Sequence, residues 1–119
     1  TKKIIAEAAE KFGVNQRSIS DDEIIERCFY SLCNTGFDLL DEGMAYRASD
    51  IDIVYINGYG FPAWRGGPMH WAEHTVGLAK MLDSIRNSAD KFGDRWWKPS
   101  PLLERLVRDG GSLRDIQNQ

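Results

Sequence analysis

The chain is short of most things that would announce a chemistry. It has two cysteines, two histidines and four prolines in 119 residues. Cys28 and Cys33 fall five apart on diverging faces of an expected helix, so no disulfide is read between them, and a reducing, intracellular compartment is the natural reading. Neither thiol has an adjacent histidine, and both are read as inert residues of a core helix. Charge of one sign is missing too: 15 basic and 18 acidic residues leave a net −3. That balance gives no basic field for nucleic acid or an anionic membrane surface. No apolar run approaches the ~18 residues of a membrane span. The opening TKKIIAEAAEKFG carries acids within an amphipathic pattern and fits neither a secretory signal nor a transit peptide. Its Thr-Lys-Lys start, without Met, is read as a piece of something longer.

What is present is mostly helical punctuation. Ile4, Ile5, Ala8, Ala9 and Phe12 recur at helical spacing and Gly13 follows as a stop. Ser20 with Asp21, Asp22 and Glu23 forms a capping box with acids in the positive first turn. From there Ile25, Phe29, Leu32, Gly36 and Leu39 make a stripe, widened by Ile24, Cys28 and Leu40. This predicts one long core helix from about Asp21 to Glu42. Gly36 weakens such a helix by ~1 kcal/mol, which predicts a close neighbour there. In Asp50–Asn57, DIDIVYIN, the rules conflict: β-branched and aromatic residues favour a strand, while a Ser49 cap and early acids favour a short helix. Pro68 opens a helix to about His74, and Leu78, Met81, Leu82 and Ile85 line another that closes near Gly93. Leu102, Leu103, Leu106 and Val107 line a last one ended by Gly110, followed by a polar tail read as frayed. The sum is an all-α domain.

The densest stretch of unusual residues is the loop after DIDIVYIN. It holds Asn57, Gly58, Gly60, Phe61, Pro62, Arg65, Gly66, Gly67 and Pro68, together with Tyr59 and Trp64. Glycine permits positive φ and close approach, proline stiffens φ, and the rings favour burial, so a rigid docking loop is predicted. Phe61, Trp64 and Met69 are expected to be buried, with Gly58 or Gly60 at positive φ. Gly58-x-Gly60-x-x-Ala63 formally matches a dinucleotide fingerprint. Pro62 removes an N–H the pyrophosphate would need, and Arg65-Gly66-Gly67-Pro68 breaks any helix behind it, so no cofactor is assigned to the loop. His70-Trp71-Ala72-Glu73-His74 is a literal H-x-x-E-H. The helix is short and no third His or Cys pair is suitably placed, so the reading is two surface histidines flanking a buried Trp71, without a metal. Trp96 and Trp97 are read as packing against the last helix, since no basic groove surrounds them to make a base-stacking platform. No catalytic residue is assigned.

Ser20-Asp21-Asp22-Glu23-Ile24-Ile25-Glu26-Arg27-Cys28, Leu40-Asp41-Glu42-Gly43 and Arg47-Ala48-Ser49-Asp50-Ile51-Asp52 carry a resemblance, as do Asn57-Gly58-Tyr59-Gly60-Phe61-Pro62 and Arg65-Gly66-Gly67-Pro68-Met69. Together they resemble the C-terminal helical domain of 3-hydroxyacyl-CoA dehydrogenases, in particular the last repeat of the multifunctional β-oxidation type joined to an enoyl-CoA hydratase/isomerase. Thr75-Val76-Gly77-Leu78 and Pro101-Leu102-Leu103-Glu104-Arg105-Leu106 have the same look. The resemblance implies an all-α fold of roughly five to six helices around the long core helix, with DIDIVYIN helical. It implies residues 1–19 as the end of a preceding helix and a connector, 20–112 as the domain and 113–119 as a tail. It places NAD and the catalytic histidine–glutamate pair in an upstream Rossmann domain, so this piece alone is expected to bind no NAD and to be inactive. Implied partners are that Rossmann domain, the preceding helical repeat, the parent's acyl-CoA substrate and a homodimer. Where single-repeat relatives place a substrate-lining asparagine before the arginine of the early helix, this chain has Glu26 before Arg27, which implies a scaffolding repeat. The compartment is not distinguished among bacterial cytoplasm, peroxisome and mitochondrion. A free-standing interaction module derived from the fold is the alternative.

Overall fold

In the computed structural model, residues 1–117 are described, and all regular structure among them is helical. The segments are α1 (Lys2–Lys11), α2 (Asp21–Ile25), α3 (Ser31–Asp41), α4 (Ala48–Gly58), α5 (Pro68–Trp71), α6 (Leu78–Phe92), α7 (Asp94–Trp97) and α8 (Pro101–Asp109). Every helix read from the sequence is there, with the four-residue α7 added between α6 and α8.

The long core helix begins where the sequence places it. Ser20 Oγ accepts the Glu23 N–H at 3.2 Å, and Asp21, Asp22 and Glu23 fill the first turn. The capping box is only half made, because Glu23 turns its carboxylate to the Arg17 guanidinium instead (Nη1–Oε2 2.8 Å). Inside the helix, Glu26–Tyr30 forms a π turn that joins α2 to α3. A π turn inserts one extra residue and rotates everything after it. The buried series therefore begins only at Tyr30, at the end of the π turn, and then runs Cys33, Phe37 and Leu40, while Ile25 before the turn is exposed. The unbroken stripe expected through Ile24, Cys28 and Leu32 is displaced: Ile24 and Cys28 are exposed and Leu32 is only half-buried. Gly36 does meet a close neighbour, since a Cβ there would lie 2.5 Å from Met69 Sδ.

DIDIVYIN is helical, as α4, but its start is not capped by Ser49. The cap residue is Arg47, and Asp50 accepts both its N–H (Oδ2, 3.1 Å) and its guanidinium (Oδ1, 2.9 Å). Phe37, Leu40, Met69, Met81, Ile85 and Leu103 form the centre of the core, brought together by α3, α5, α6 and α8. Asn34 clasps the chain entering α8: its amide donates to Lys98 O at 2.8 Å and its Oδ1 accepts Ser100 N–H at 2.9 Å. Trp97 is half-buried against the core, whereas Trp96 is 70 % exposed. The tail is anchored rather than frayed through its described part. Leu113 is buried at the start of a short 3-10 turn, and its N–H donates to Glu73 Oε1 at 2.9 Å. Asn118 and Gln119 lie outside the described residues.

Candidate functional site

The loop between α4 and α5 is built as a joint. Gly58 ends α4 in helical conformation, and Gly60 is the residue with positive φ (+72°). Tyr59 N–H and Phe61 N–H both return to Tyr55 O, at 3.2 and 3.0 Å, which doubles the chain back on its helix. Asn57 Nδ2 donates to Ile53 O at 2.9 Å on the exposed side of α4. Phe61 is thereby turned inward, 7 % exposed, with its ring edge-on to Phe29 at 5.8 Å. Pro62 leads into a single 3-10 turn, Ala63–Arg65, in which Gly66 N–H returns to Ala63 O at 3.0 Å. Trp64 does not follow Phe61 inward. It is 79 % exposed at the tip of that tight turn, with the Arg65 guanidinium over its ring at 4.3 Å, so its expected burial is overturned. A single 3-10 turn projects its side chains outward unless a second element covers it.

Below the turn, Asp52 organises the start of α5. A helix leaves its first N–H groups without partners, and Pro68 at the first position has none to leave. The remaining donors are Met69 N–H, 2.7 Å from Asp52 Oδ1, and His70 N–H, 3.2 Å from Oδ2. Gly67, the cap residue, has no side chain of its own to do this. Its φ is +98°, and a Cβ there would overlap the Asp52 carboxylate. Gly66 is constrained likewise: φ is +79° and a Cβ would sit 2.6 Å from His70 Nδ1. The pair of glycines therefore makes room for the carboxylate and the imidazole that follow. Burial pushes the Asp52 carboxyl above its usual value, and the Met69 and His70 N–H groups, with His70 itself, pull part of the way back. Cys33 Sγ, 3.3 Å from Pro68 O, completes the seat, and burial followed by the Asp52 charge pushes its thiol up to about 12. Cys33 is buried, as expected of a cysteine of the core helix; Cys28 departs from that expectation in being exposed.

Met69 is fully buried and Trp71 nearly so, with exposed His70 and His74 on either side of Trp71. The two imidazoles do share a face, 4.5 Å between ring centroids. Glu73, between them in sequence, spends one oxygen on Leu113 N–H, and its other lies 3.5 Å from His74 Nε2. No group of three or more His, Cys, Asp or Glu side chains with metal-holding geometry occurs among the described residues. The fingerprint-like glycines follow a helix rather than a strand, so the strand–turn–helix seat for a pyrophosphate is not formed around Gly58 and Gly60. Sequence reasoning missed Asp52, Asn34 and Glu73. The signal was there for the first two: an acid interrupting the β-branched and aromatic run 51–56, and an amide inside the core stripe.

At the other end, α1 stands clear of the core. None of its residues is buried; Ile4, Ile5 and Phe12, the residue that caps its end, are 69, 54 and 73 % exposed. A cleft of about 920 Å³ separates its Ile5, Ala8 and Phe12 from Ile19 and Phe92. Arg27 lies over the Phe92 ring at 4.0 Å. Glu26, next to it, is half-buried and accepts weakly from Ser84 Oγ at 3.5 Å.

An all-helical domain knit by a Gly-Pro joint, with an amphipathic helix left standing at its N-terminal end, is the class that fold and site define. Residues 24–115 match the profile of the family described as 3-hydroxyacyl-CoA dehydrogenase, C-terminal domain. The chain is 44 % identical over 101 residues to a peroxisomal bifunctional enzyme of Danio rerio, an alignment covering 84 % of this chain and 14 % of the relative. It is 37 % identical over 101 residues to a peroxisomal fatty acid beta-oxidation multifunctional protein of Arabidopsis thaliana, covering 85 and 14 %. It is 38 % identical over 88 residues to a fatty acid oxidation complex subunit alpha of Shewanella amazonensis, covering 74 and 12 %. The chain belongs to the 3-hydroxyacyl-CoA dehydrogenase C-terminal domain family, and it spans about a seventh of the length of these relatives.

Proposed function

We propose that this chain is the terminal helical repeat of an NAD-dependent 3-hydroxyacyl-CoA dehydrogenase of fatty-acid β-oxidation, where it supports the substrate-side repeat rather than carrying the chemistry. The observation that carries the reading is α1. Its apolar face, Ile4, Ile5 and Phe12, is built for burial and has no cover within the domain. The preceding repeat is the segment that covers it, seated in the cleft between α1 and Phe92. Hydride transfer to NAD+ and removal of the substrate hydroxyl proton belong to the upstream Rossmann domain. Glu26 holds the place of a substrate-lining asparagine, and its contact with Ser84 is internal to the repeat. The joint around Asp52 then serves to hold α4 and α5 rigid behind that contact. Residues 20–112 act as the repeat itself, and 1–19 as its connection to the preceding one. The compartment is intracellular, peroxisomal or bacterial according to the parent.

The test separates the chain from an upstream piece carrying the Rossmann domain and first repeat, and mixes the two. The chain alone is expected to give no NADH from a 3-hydroxyacyl-CoA and to co-elute with the upstream piece; Ile5→Asp with Phe12→Asp should abolish co-elution. Turnover by the chain alone would overturn the reading. So would failure of the wild-type pieces to associate while the chain self-associates through α1.

A further inference from the structure

A second cleft lies against the N-terminal part of the long helix, which contributes Ile25, Phe29 and Tyr30 to its wall. Two π turns flank it, Glu26–Tyr30 and Ala72–Val76. Such turns concentrate at functional sites because they widen a helix and displace side chains from their regular positions. The cleft has a volume of about 380 Å³, within the ~300–1,000 Å³ of small-molecule sites. Its floor is aromatic: Phe29 meets Phe61 edge-on at 5.8 Å and Trp71 at 5.9 Å, with Ile25 and Val76 beside them.

The charges around the cleft point to a ligand of particular chemistry. Trp71 lines the cleft and is 6 % exposed, yet its indole N–H has no hydrogen-bond acceptor. That nitrogen is sealed from solvent, so the ring, not its N–H, is what Trp71 offers a ligand in the cleft. Arg65 and Lys80 line the same cleft, and neither has a carboxylate partner among the described residues. Asp22 is the single acid on the wall. Cations thus outnumber acids around an apolar floor.

We propose that this cleft binds an amphipathic monocarboxylate. The apolar body lies on the Phe29–Phe61–Trp71 floor, and the carboxylate is drawn to Arg65 and Lys80. A neutral apolar ligand would leave both cations unused, and an amine would meet them with like charge. The proposal goes beyond the scaffolding role and does not depend on how α1 is covered.

The isotope-labelled chain titrated with phenylbutyrate, followed at the indole N–H resonances, tests it. Trp71→Phe assigns the resonance. The Trp71 signal should move saturably while that of exposed Trp96 stays in place; Trp64, whose ring lies under the Arg65 guanidinium, is not a control. Phenylbutanol, with the same body and no charge, should bind about tenfold more weakly, as loss of a charge-assisted hydrogen bond implies. Arg65→Gln with Lys80→Gln, changes outside the core, should weaken phenylbutyrate by a similar factor, so the outcome holds even if Trp71→Phe fails to fold. No saturable shift, equal affinity for the alcohol, or indifference to the double variant would overturn the proposal. Movement of the Trp96 signal together with that of Trp71 would mark adventitious binding and overturn it as well.

Discussion

Asp52 is the residue on which the joint turns, and its neighbours explain their own identities through it. Gly67 is small because the carboxylate lies where a Cβ would be, and Pro68 fits because its missing N–H is one the carboxylate need not serve. Asp52→Ala strands two buried or half-buried N–H groups and should cost about 1–3 kcal/mol in urea melts. Asp52→Asn keeps one acceptor and should cost less. The pH dependence has a sign worth measuring. Burial raises the Asp52 folded value above 3.8, so the native state takes up a proton before the unfolded chain does. The contribution of Asp52 to stability is therefore fullest below the unfolded value and is lost as pH rises through the raised one. Wild type should gain on Asp52→Asn as pH falls from above that raised value toward 3.8; a gap that narrows instead would refute the burial account. Phe61 supplies the contrast with the loop's exposed residues. Phe61→Ala and Trp71→Ala should each cost ~3 kcal/mol or more, as truncation of core aromatics does. His70→Ala and His74→Ala, on the surface, should each stay within about 0.5 kcal/mol, with or without a chelator.

Among the elements, the long helix shows how a correct assignment can carry a wrong face. Capping and periodicity locate its ends well, but the extra residue of the π turn shifts the register of everything after it. The prediction that follows separates insertion from register. Deleting exposed Cys28, inside the π turn, should convert it to regular helix while keeping Cys33, Phe37 and Leu40 inward, and the variant should still melt cooperatively. Deleting exposed Thr35, beyond the turn, rotates Phe37 and Leu40 by about 100° off the core and should abolish cooperative unfolding. Circular dichroism with thermal melts distinguishes the two, and equal damage from both would contradict the account. The loop between α4 and α5 is the reverse case. Its glycine and proline content marks a constrained joint from sequence, and only the fold shows that Phe61 faces in while Trp64 faces out.

The whole molecule is longer than its residue number requires. A chain of this length packed into one globule has a radius of gyration near 13.5 Å (about 2.2·N^0.38), and this one measures 16.3 Å with a longest extent of 51 Å. The difference is α1 and its connector, which bury nothing against the rest. Removing residues 1–13 should consequently shift unfolding free energy by no more than about 0.5 kcal/mol. The same truncation should eliminate association with an upstream piece. A large loss of stability on truncation would mean that α1 folds back onto Phe92 in solution.

Local chemistry written in the sequence determined the all-helical class, the positions of the helices, the rigid Gly-Pro joint and the family resemblance, because caps, periodicity and turn residues act within a few positions of themselves. DIDIVYIN remained ambiguous on those terms, since a run so short has no periodicity to arbitrate propensity; in the structure it is a helix, capped by Arg47 with Asp50 and tied to α5 through Asp52. The same limit hid Asn34, whose partners Lys98 and Ser100 lie far along the chain, and Glu73, whose oxygen meets Leu113 and ties down a tail that reads as polar. It also hid the inward face of the long helix and the unpaired indole of Trp71. These depend on which distant groups meet in space, and only the tertiary structure decides that.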